Sequence, residues 1–182
     1  MDPSAARKIR VATEADAAAC RAIYAPYVND TVISFETEVP SVEAMAARIA
    51  DANERHVWLV LEEDGRMLGY AYAHAFASRA AYRWSCETSI YVDRSFRGSG
   101  AGRALYGELL PRLVALGHRR AFAGVALPND ASLGIHRSFG FEQVGVFERV
   151  GWKNGAWRDV AWLQRDLGDG DPLAPPAERG EG

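Results

Sequence analysis

The stretch HVWLVLEEDGRMLGYAYAHAF, residues 56–76, constrains the fold more than any other part of the chain. Two runs rich in strand-forming residues are joined by Asp64-Gly65, a dipeptide suited to the left-handed backbone of a two-residue hairpin turn. The strands so joined pair antiparallel, which excludes a purely parallel, doubly wound sheet. Around this hairpin the signals alternate. KIRVA reads as a short strand, and Thr13 to Asp16 has capping-box spacing, with Asp in the usual place of Glu, at the head of an Ala-rich helix toward Tyr24. Ser41 can cap a second helix to about Asp51. WSCETSIYV reads as a strand, followed by a helix that ends at Leu116 with Gly117 as its stop. RRAFAGVAL reads as another strand, and a short helix then ends at Phe139-Gly140. FEQVGVFERVGW and WRDVAWLQRDL form a last strand pair. The expected fold is α/β, a mixed and mostly antiparallel central sheet flanked by helices.

With 182 residues, 48% of them apolar and 25% charged, the chain is long enough to bury one sizeable core. We expect one domain over residues 7–167, a flexible start at 1–6 and a disordered Gly, Pro and Asp-rich tail at 168–182. The net charge is −3, from 21 basic and 24 acidic residues mixed along the chain, so there is no basic stripe for nucleic acid or a membrane surface. A small molecule is the expected partner. Cys20 and Cys86 are too few for a disulfide framework, neither lies in a CxxC, and four scattered histidines have no zinc spacing. No metal is expected. The start MDPSAARKIR lacks the apolar stretch of a signal peptide, and no apolar run reaches the length of a spanning helix. The expected location is therefore the cytoplasm.

Gly98, Gly100 and Gly102 crowd the join between a strand and a helix, in VDRSFRGSGAGRAL. A dinucleotide loop fails on spacing, because Arg103 stands where the third glycine of GxGxxG belongs. A nucleoside-triphosphate loop fails because Gly-Lys-Ser/Thr is absent. There remains Arg97-x-x-Gly100-x-Gly102, which suits either an anion on bare helix-start N–H groups or a loop whose glycines merely relieve strain.

The motif's surroundings resemble those of the GNAT superfamily of N-acetyltransferases. Arg97-x-x-Gly100-x-Gly102 matches that superfamily's Q/R-x-x-G-x-G/A signature, and YRWSCETSIYV, LPNDASLGIH and GWKNGAWRDVAWLQRDL are similar to the phosphinothricin N-acetyltransferase group. The resemblance spans about Arg7 to Leu167. It implies acetyl-CoA as co-substrate. The backbone of Ile90, Tyr91 and Val92 would pair with the pantetheine arm; Gly98, Ser99, Gly100, Ala101, Gly102 and Arg103, with Arg97, would hold the pyrophosphate; and Asn129 would touch the cofactor. It also implies a homodimer, for which the aromatic-rich C-terminal strands are a candidate surface.

Amide formation at an α-amine needs a base, because the amine is largely protonated near neutral pH. Alternation in WSCETSIYV puts Trp84, Cys86, Thr88, Ile90 and Val92 on one face and Ser85, Glu87, Ser89 and Tyr91 on the other. Glu87 is then an ordinary solvated strand residue or a general base, and the resemblance selects the base. His136 stands four residues before Gly140, where many superfamily members have a tyrosine that protonates the leaving thiolate. The phosphinothricin group shares this histidine, which can serve as acid, aid to the base or packed structural residue. Cys86 points away from Glu87 and reads as core. Arg79 and Arg83 are candidates to hold an α-carboxylate and a second anionic or polar end, with Phe35 and Tyr82 as pocket wall. Trp152, Trp157 and Trp162 read as packing of the last strands or as a dimer contact. Phosphinothricin is the representative acceptor. Methionine sulfone or sulfoximine, or a protein amine, are the enzymatic alternatives, and an acyl-CoA sensor is the non-catalytic one.

Overall fold

The computed structural model describes residues 7–170 and, beyond them, residue 174. The expected flexible start lies outside these residues, as does most of the expected tail. Of that tail, Gly168 and Gly170 pack against Arg119, and a Cβ on Gly170 would fall on its guanidinium.

The chain runs β1 (Lys8–Val11), α1 (Ala17–Asp30), α2 (Val42–Arg55), β2 (Trp58–Glu63), β3 (Arg66–Ala75), β4 (Ser85–Val92), α3 (Ala101–Ala115), β5 (Arg120–Ala126), α4 (Asp130–Ser138), β6 (Glu142–Lys153) and β7 (Ala156–Asp166). One seven-stranded sheet has the order β1-β2-β3-β4-β5-β7-β6, and β4 with β5 is its parallel pair. The expected mixed, mostly antiparallel sheet is thus found. Asp64 and Gly65 turn the β2–β3 hairpin with φ of 51° and 77°, as the Asp-Gly dipeptide requires. Ser41 caps α2 by accepting the Ala44 N–H at 3.1 Å, and Gly117 and Gly140 stop α3 and α4 at φ of 83° and 77°. The Asp16 carboxylate accepts the Thr13 N–H at 2.8 Å, the acid's half of a capping box.

Two helices outrun their sequence signals. α1 continues through Pro26 to Asp30, and α2 reaches Arg55 rather than Asp51. In α1 the residues around the proline, Ile23, Tyr24, Tyr27 and Val28, are all buried, so packing holds a helix that local propensity would end.

Period-two alternation divides the core between the sheet's two faces. In β2, Leu59 and Leu61 join Leu105, Leu109 and Leu113 of α3 on one face. Trp58 and Val60 join Ile23 of α1 and Met45 and Ile49 of α2 on the other.

The feature that positions a site is a split. β4 and β5 pair only over Ser85↔Arg120, Cys86↔Ala121 and Glu87↔Phe122. Thr88 Oγ1 donates to the Phe122 carbonyl at 3.2 Å at the fork, and beyond it β4 pairs with β3 while β5 pairs with β7. The inner backbone edges of both strands are thereby left without a strand partner.

Candidate active site

At one end of the split lies a cleft of about 490 Å³. The chain leaves β4 through Gly98 and Gly100, whose φ angles of 77° and 82° are left-handed. A Cβ at either would meet nothing within 4 Å, so the demand falls on the backbone and the space before it is open. Gly100 is the N-cap of α3, and its carbonyl takes the Ala104 N–H at 3.0 Å. The N–H groups of Ala101, Gly102 and Arg103 therefore have no partner inside the helix, and they carry the positive end of its dipole. The Ser99 hydroxyl is buried without a hydrogen-bond partner among the described residues, and the Ser99 carbonyl accepts from Arg7 at 2.8 Å. Arg97 and Arg103 also line the cleft, over the rings of Tyr27 and Phe139, and neither joins an ion pair among the described residues. Unused donors and two uncommitted cations suit a pyrophosphate.

Most of the expected cofactor contacts meet here. Ile90, Val92, Arg97, Gly98, Gly100, Ala101, Gly102, Arg103 and Asn129 all line this cleft. Asn129 does so as the N-cap of α4, its side-chain oxygen accepting the Ser132 N–H at 3.2 Å. Gly102 lets α3 approach closely, since a Cβ there would stand 2.9 Å from Ile135 Cδ1. The Tyr91 ring turns to the opposite face, packed edge-on against Tyr24 and Tyr27 with centroids at 4.8 and 5.2 Å. From the cleft a narrow slot runs between β4 and β5, lined by Ser89, Gly124, Ala126 and His136. It leads toward a second cleft of about 570 Å³ on the other face.

Glu87, Ser89 and Tyr91 line that second cleft, as alternation requires, together with Tyr72, His74, Phe35, Glu36, Phe147 and Trp162. The Glu87 carboxyl is half-buried, and burial raises its pKa above the usual carboxylate range while the charge of His74 pulls it back. Burial acts the same way on Glu36, but hydrogen bonds from Arg48 at 2.6 Å and Tyr24 at 2.9 Å outweigh it and hold Glu36 low. Phe35 is fixed from beneath by Gly151, where a Cβ would collide with the ring. Its loop is tied down by Lys153, a buried ammonium that donates to the carbonyls of Val28 at 2.7 Å and Ser34 at 2.6 Å.

His136 is buried at 3% exposure, and both ring nitrogens are engaged inside the protein. Nδ1 lies 2.7 Å from the Ser132 carbonyl, which can only accept, so Nδ1 carries the hydrogen. Nε2, 2.8 Å from the Tyr106 hydroxyl, is then the acceptor of that hydroxyl's proton. Burial lowers the ring's pKa and keeps it neutral. Of the roles open to His136, this geometry matches that of a packed residue locking α4 to α3.

The expected substrate arginines lie elsewhere in this chain. Arg79, Tyr82 and Arg83 do not line the cleft beside Glu87. The Arg83 guanidinium lies 3.6 Å from the Trp84 ring centre and donates to the Ala80 carbonyl at 3.2 Å, and Tyr82 packs edge-on against Phe76. Tyr82 belongs to a short helical turn, Ala80–Tyr82, flanked by Arg79 and Arg83. Of the three tryptophans, Trp162 lines the cleft, whereas Trp152 and Trp157 stack edge-on and are exposed.

Glu36, His74 and Trp162 were missed as cleft residues by sequence reasoning. The signal for His74 lay in strand register, which pairs it with Glu87 across β3 and β4.

Residues 9–162 match the family described as "Acetyltransferase (GNAT) domain". The chain is 40% identical to a phosphinothricin N-acetyltransferase of Alcaligenes faecalis, over 92% of this chain and 86% of that one. It is 36% identical to an L-methionine sulfoximine/L-methionine sulfone acetyltransferase of Pseudomonas paraeruginosa, over 87% and 94% of the two chains. Among solved structures, a GNAT superfamily phosphinothricin acetyltransferase of Sinorhizobium meliloti in complex with AcCoA is similar at a TM-score of 0.89. It shares 37% identity with this chain, and 94% of each chain is covered.

Proposed function

Since this chain belongs to the GNAT acetyltransferase family, we infer that it transfers the acetyl group of acetyl-CoA to the α-amine of a small amino acid, with L-phosphinothricin as the representative acceptor. The observation that carries this reading is Glu87, a half-buried carboxyl of raised pKa on the wall of one cleft, one slot away from unused helix-start donors in another. Glu87 acts as general base, taking a proton from the bound ammonium directly or through water. Its raised pKa makes it a better acceptor, and activity rises as pH increases through that pKa. The split backbone of Ile90 to Val92 receives the pantetheine arm as an added strand. The loop from Arg97 to Arg103 receives the pyrophosphate.

Transfer is direct, in a ternary complex. The slot joins the two clefts, so both substrates can be held at once. A thioester intermediate on cysteine is disfavoured, because burial pushes the thiols of Cys20 and Cys86 up to about 12. The departing thiolate needs no strong acid, since an alkyl thiol has a pKa near that of cysteine, about 8.5. His136 holds the walls of the slot in place.

A second acceptor class has its own support. The cleft wall carries Glu36 and Glu87 and no arginine or lysine, which suits a neutral sulfone or sulfoximine better than an anionic phosphinate. A homodimer formed on the exposed face of β6 and β7, where Phe147, Val150, Trp152 and Trp157 stand more than half exposed, would close the cleft at its edge. Any substrate contact by Arg79, Tyr82 or Arg83 then acts across that interface rather than within one chain.

The test is acetyl-CoA-dependent thiol release with L-phosphinothricin, methionine sulfone, methionine sulfoximine and a lysine-containing peptide. Turnover of the small amino acids is expected, with a loss on the order of 10²–10⁴-fold in Glu87→Gln. Turnover of the peptide alone, or no release despite tight acetyl-CoA binding, would overturn the reading.

A further inference from the structure

Glu87 has a directly opposed partner on the neighbouring strand, His74. Such pairs set their Cβ atoms about 4.5–5.5 Å apart on the same face of a sheet. Both residues line the acceptor cleft. His74 and Tyr72 also line a groove of about 450 Å³ on the far side, formed with Asp51, Glu54, Arg55 and His56 at the end of α2. His74 is therefore part of the wall between the site of chemistry and a second opening to water.

The ring's orientation fixes which nitrogen is available. Nδ1 lies 3.0 Å from the Ala75 carbonyl, which can only accept, so Nδ1 carries the hydrogen and Nε2 of the neutral ring keeps its lone pair. Neither Nε2 nor the Glu87 carboxyl has a hydrogen-bond partner among the described residues. The other groups facing the pair are Tyr72 on β3, Tyr91 on β4, Tyr24 on α1 and Glu36 on the loop, with Asp51, Glu54, Arg55 and His56 along the groove. Arg48 of α2 lines the groove too, but its guanidinium is committed to Glu36 in a two-pronged ion pair. Among the groups lining the acceptor cleft, His74 is left as the base facing Glu87.

We propose that His74 is a positioning residue that governs proton exchange at Glu87, taking up the proton Glu87 removes from the amine and releasing it to water in the α2 groove. The proposal rests on Glu87 being the general base. An ammonium R–NH₃⁺ loses two protons on becoming an amide N–H. The first passes to the Glu87 carboxylate; the amine lone pair then forms the C–N bond, and the C–S bond breaks with its electron pair remaining on sulfur. The second nitrogen proton ends on that sulfur. The first must leave the protein before the next turnover: the O–H bond on Glu87 breaks as it protonates an intervening water, that water gives a proton to form an N–H bond at His74 Nε2, and the imidazolium gives its proton to water in the groove. The pull of the His74 charge on Glu87 has the sign this coupling requires.

The experiment follows the Glu87 carboxyl by ¹³C NMR titration of the free enzyme, alongside the pH profile of kcat/KM, in wild type, His74→Gln and His74→Arg. The Glu87 midpoint and the acid limb are expected to move together, upward without the charge in His74→Gln and downward with a permanent charge in His74→Arg. A shift of one pH unit is a tenfold change in rate on that limb. In His74→Ala, added imidazole is expected to restore several-fold of the lost turnover. A reduced kcat with an unmoved midpoint in both charge variants, or no imidazole rescue, overturns the proposal. If instead Glu87→Gln retained wild-type turnover, the general-base reading would fall, while the NMR midpoints would still report whether His74 controls that carboxyl.

Discussion

Replacing Gly100 by alanine separates backbone strain from ligand contact in the loop proposed to receive the pyrophosphate. Gly100 sits at φ 82°, ψ 1°, where an L-residue costs roughly 1–2 kcal/mol relative to glycine. A Cβ there meets nothing within 4 Å, so the free protein adds no steric cost to that figure. If the loop keeps its shape, the whole cost falls on stability, and Tm drops by roughly 2–8 °C for a domain of this size. If the loop relaxes when empty, Tm stays put and the cost moves to binding, weakening coenzyme A roughly 5–30-fold. The two effects share one fixed sum. Thermal unfolding with calorimetric titration of coenzyme A measures both. Wild-type values for both would refute the strain argument, and a loss beyond about 10³-fold would show that the methyl group itself obstructs the ligand. Gly102→Ala is the steric counterpart. Its Cβ would stand 2.9 Å from Ile135 Cδ1 and 3.3 Å from Ile90 Cδ1, both in the wall of the same cleft. Any loss of coenzyme A affinity there comes from displaced side chains and not from left-handed backbone.

Two further changes test the fold at β1 and the wall of the acceptor cleft. Asp16 is held at a pKa of about 2, against an ordinary 3.8, first by hydrogen bonds from Arg10 at 2.7 and 2.8 Å. Its side chain is 12% exposed, so that depression amounts to roughly 2 kcal/mol of stability at neutral pH. A depressed pKa stabilises above the unfolded value and ceases to as pH falls through the folded one. Urea unfolding of Asp16→Asn should therefore show the full loss at pH 7 and a shrinking difference below pH 4. In Gly151→Ala the new methyl displaces the Phe35 ring, and overpacking of this kind costs roughly 1–3 kcal/mol. A severalfold rise in acceptor KM with an unchanged KM for acetyl-CoA is expected, and steady-state kinetics with each substrate varied would reveal a different pattern.

What the sequence disclosed followed the range of the interactions involved. The hairpin turn at Asp64-Gly65, the cap at Ser41 and the stops at Gly117 and Gly140 are set within a few residues, and each lies where local chemistry puts it. The face of Glu87 followed from alternation alone. The continuation of α1 through Pro26 was hidden because burial across the fold outweighs local propensity. That Arg79 and Arg83 lie outside the lining of the Glu87 cleft was not legible, because a loop's composition carries no direction. The hydrogen bond between Tyr106 and His136 joins two helices 30 positions apart, and no local pattern announces it. His74 escaped for a related reason: its nearness to Glu87 depends on how β3 slides against β4, which the β2–β3 turn does not determine.

The fork between β4 and β5 bears on how such a chain can change over generations. Recognition by peptide N–H and C=O groups is indifferent to side-chain identity, so an arm laid along the open edge of β4 is insulated from most point substitutions there. The opposite face of the same eight residues presents Glu87, Ser89 and Tyr91 to the second cleft, where side-chain identity sets what the wall offers a ligand. One short strand thus separates what must be kept from what can vary. The donor can stay constant while the acceptor drifts, and neither change has to wait for the other.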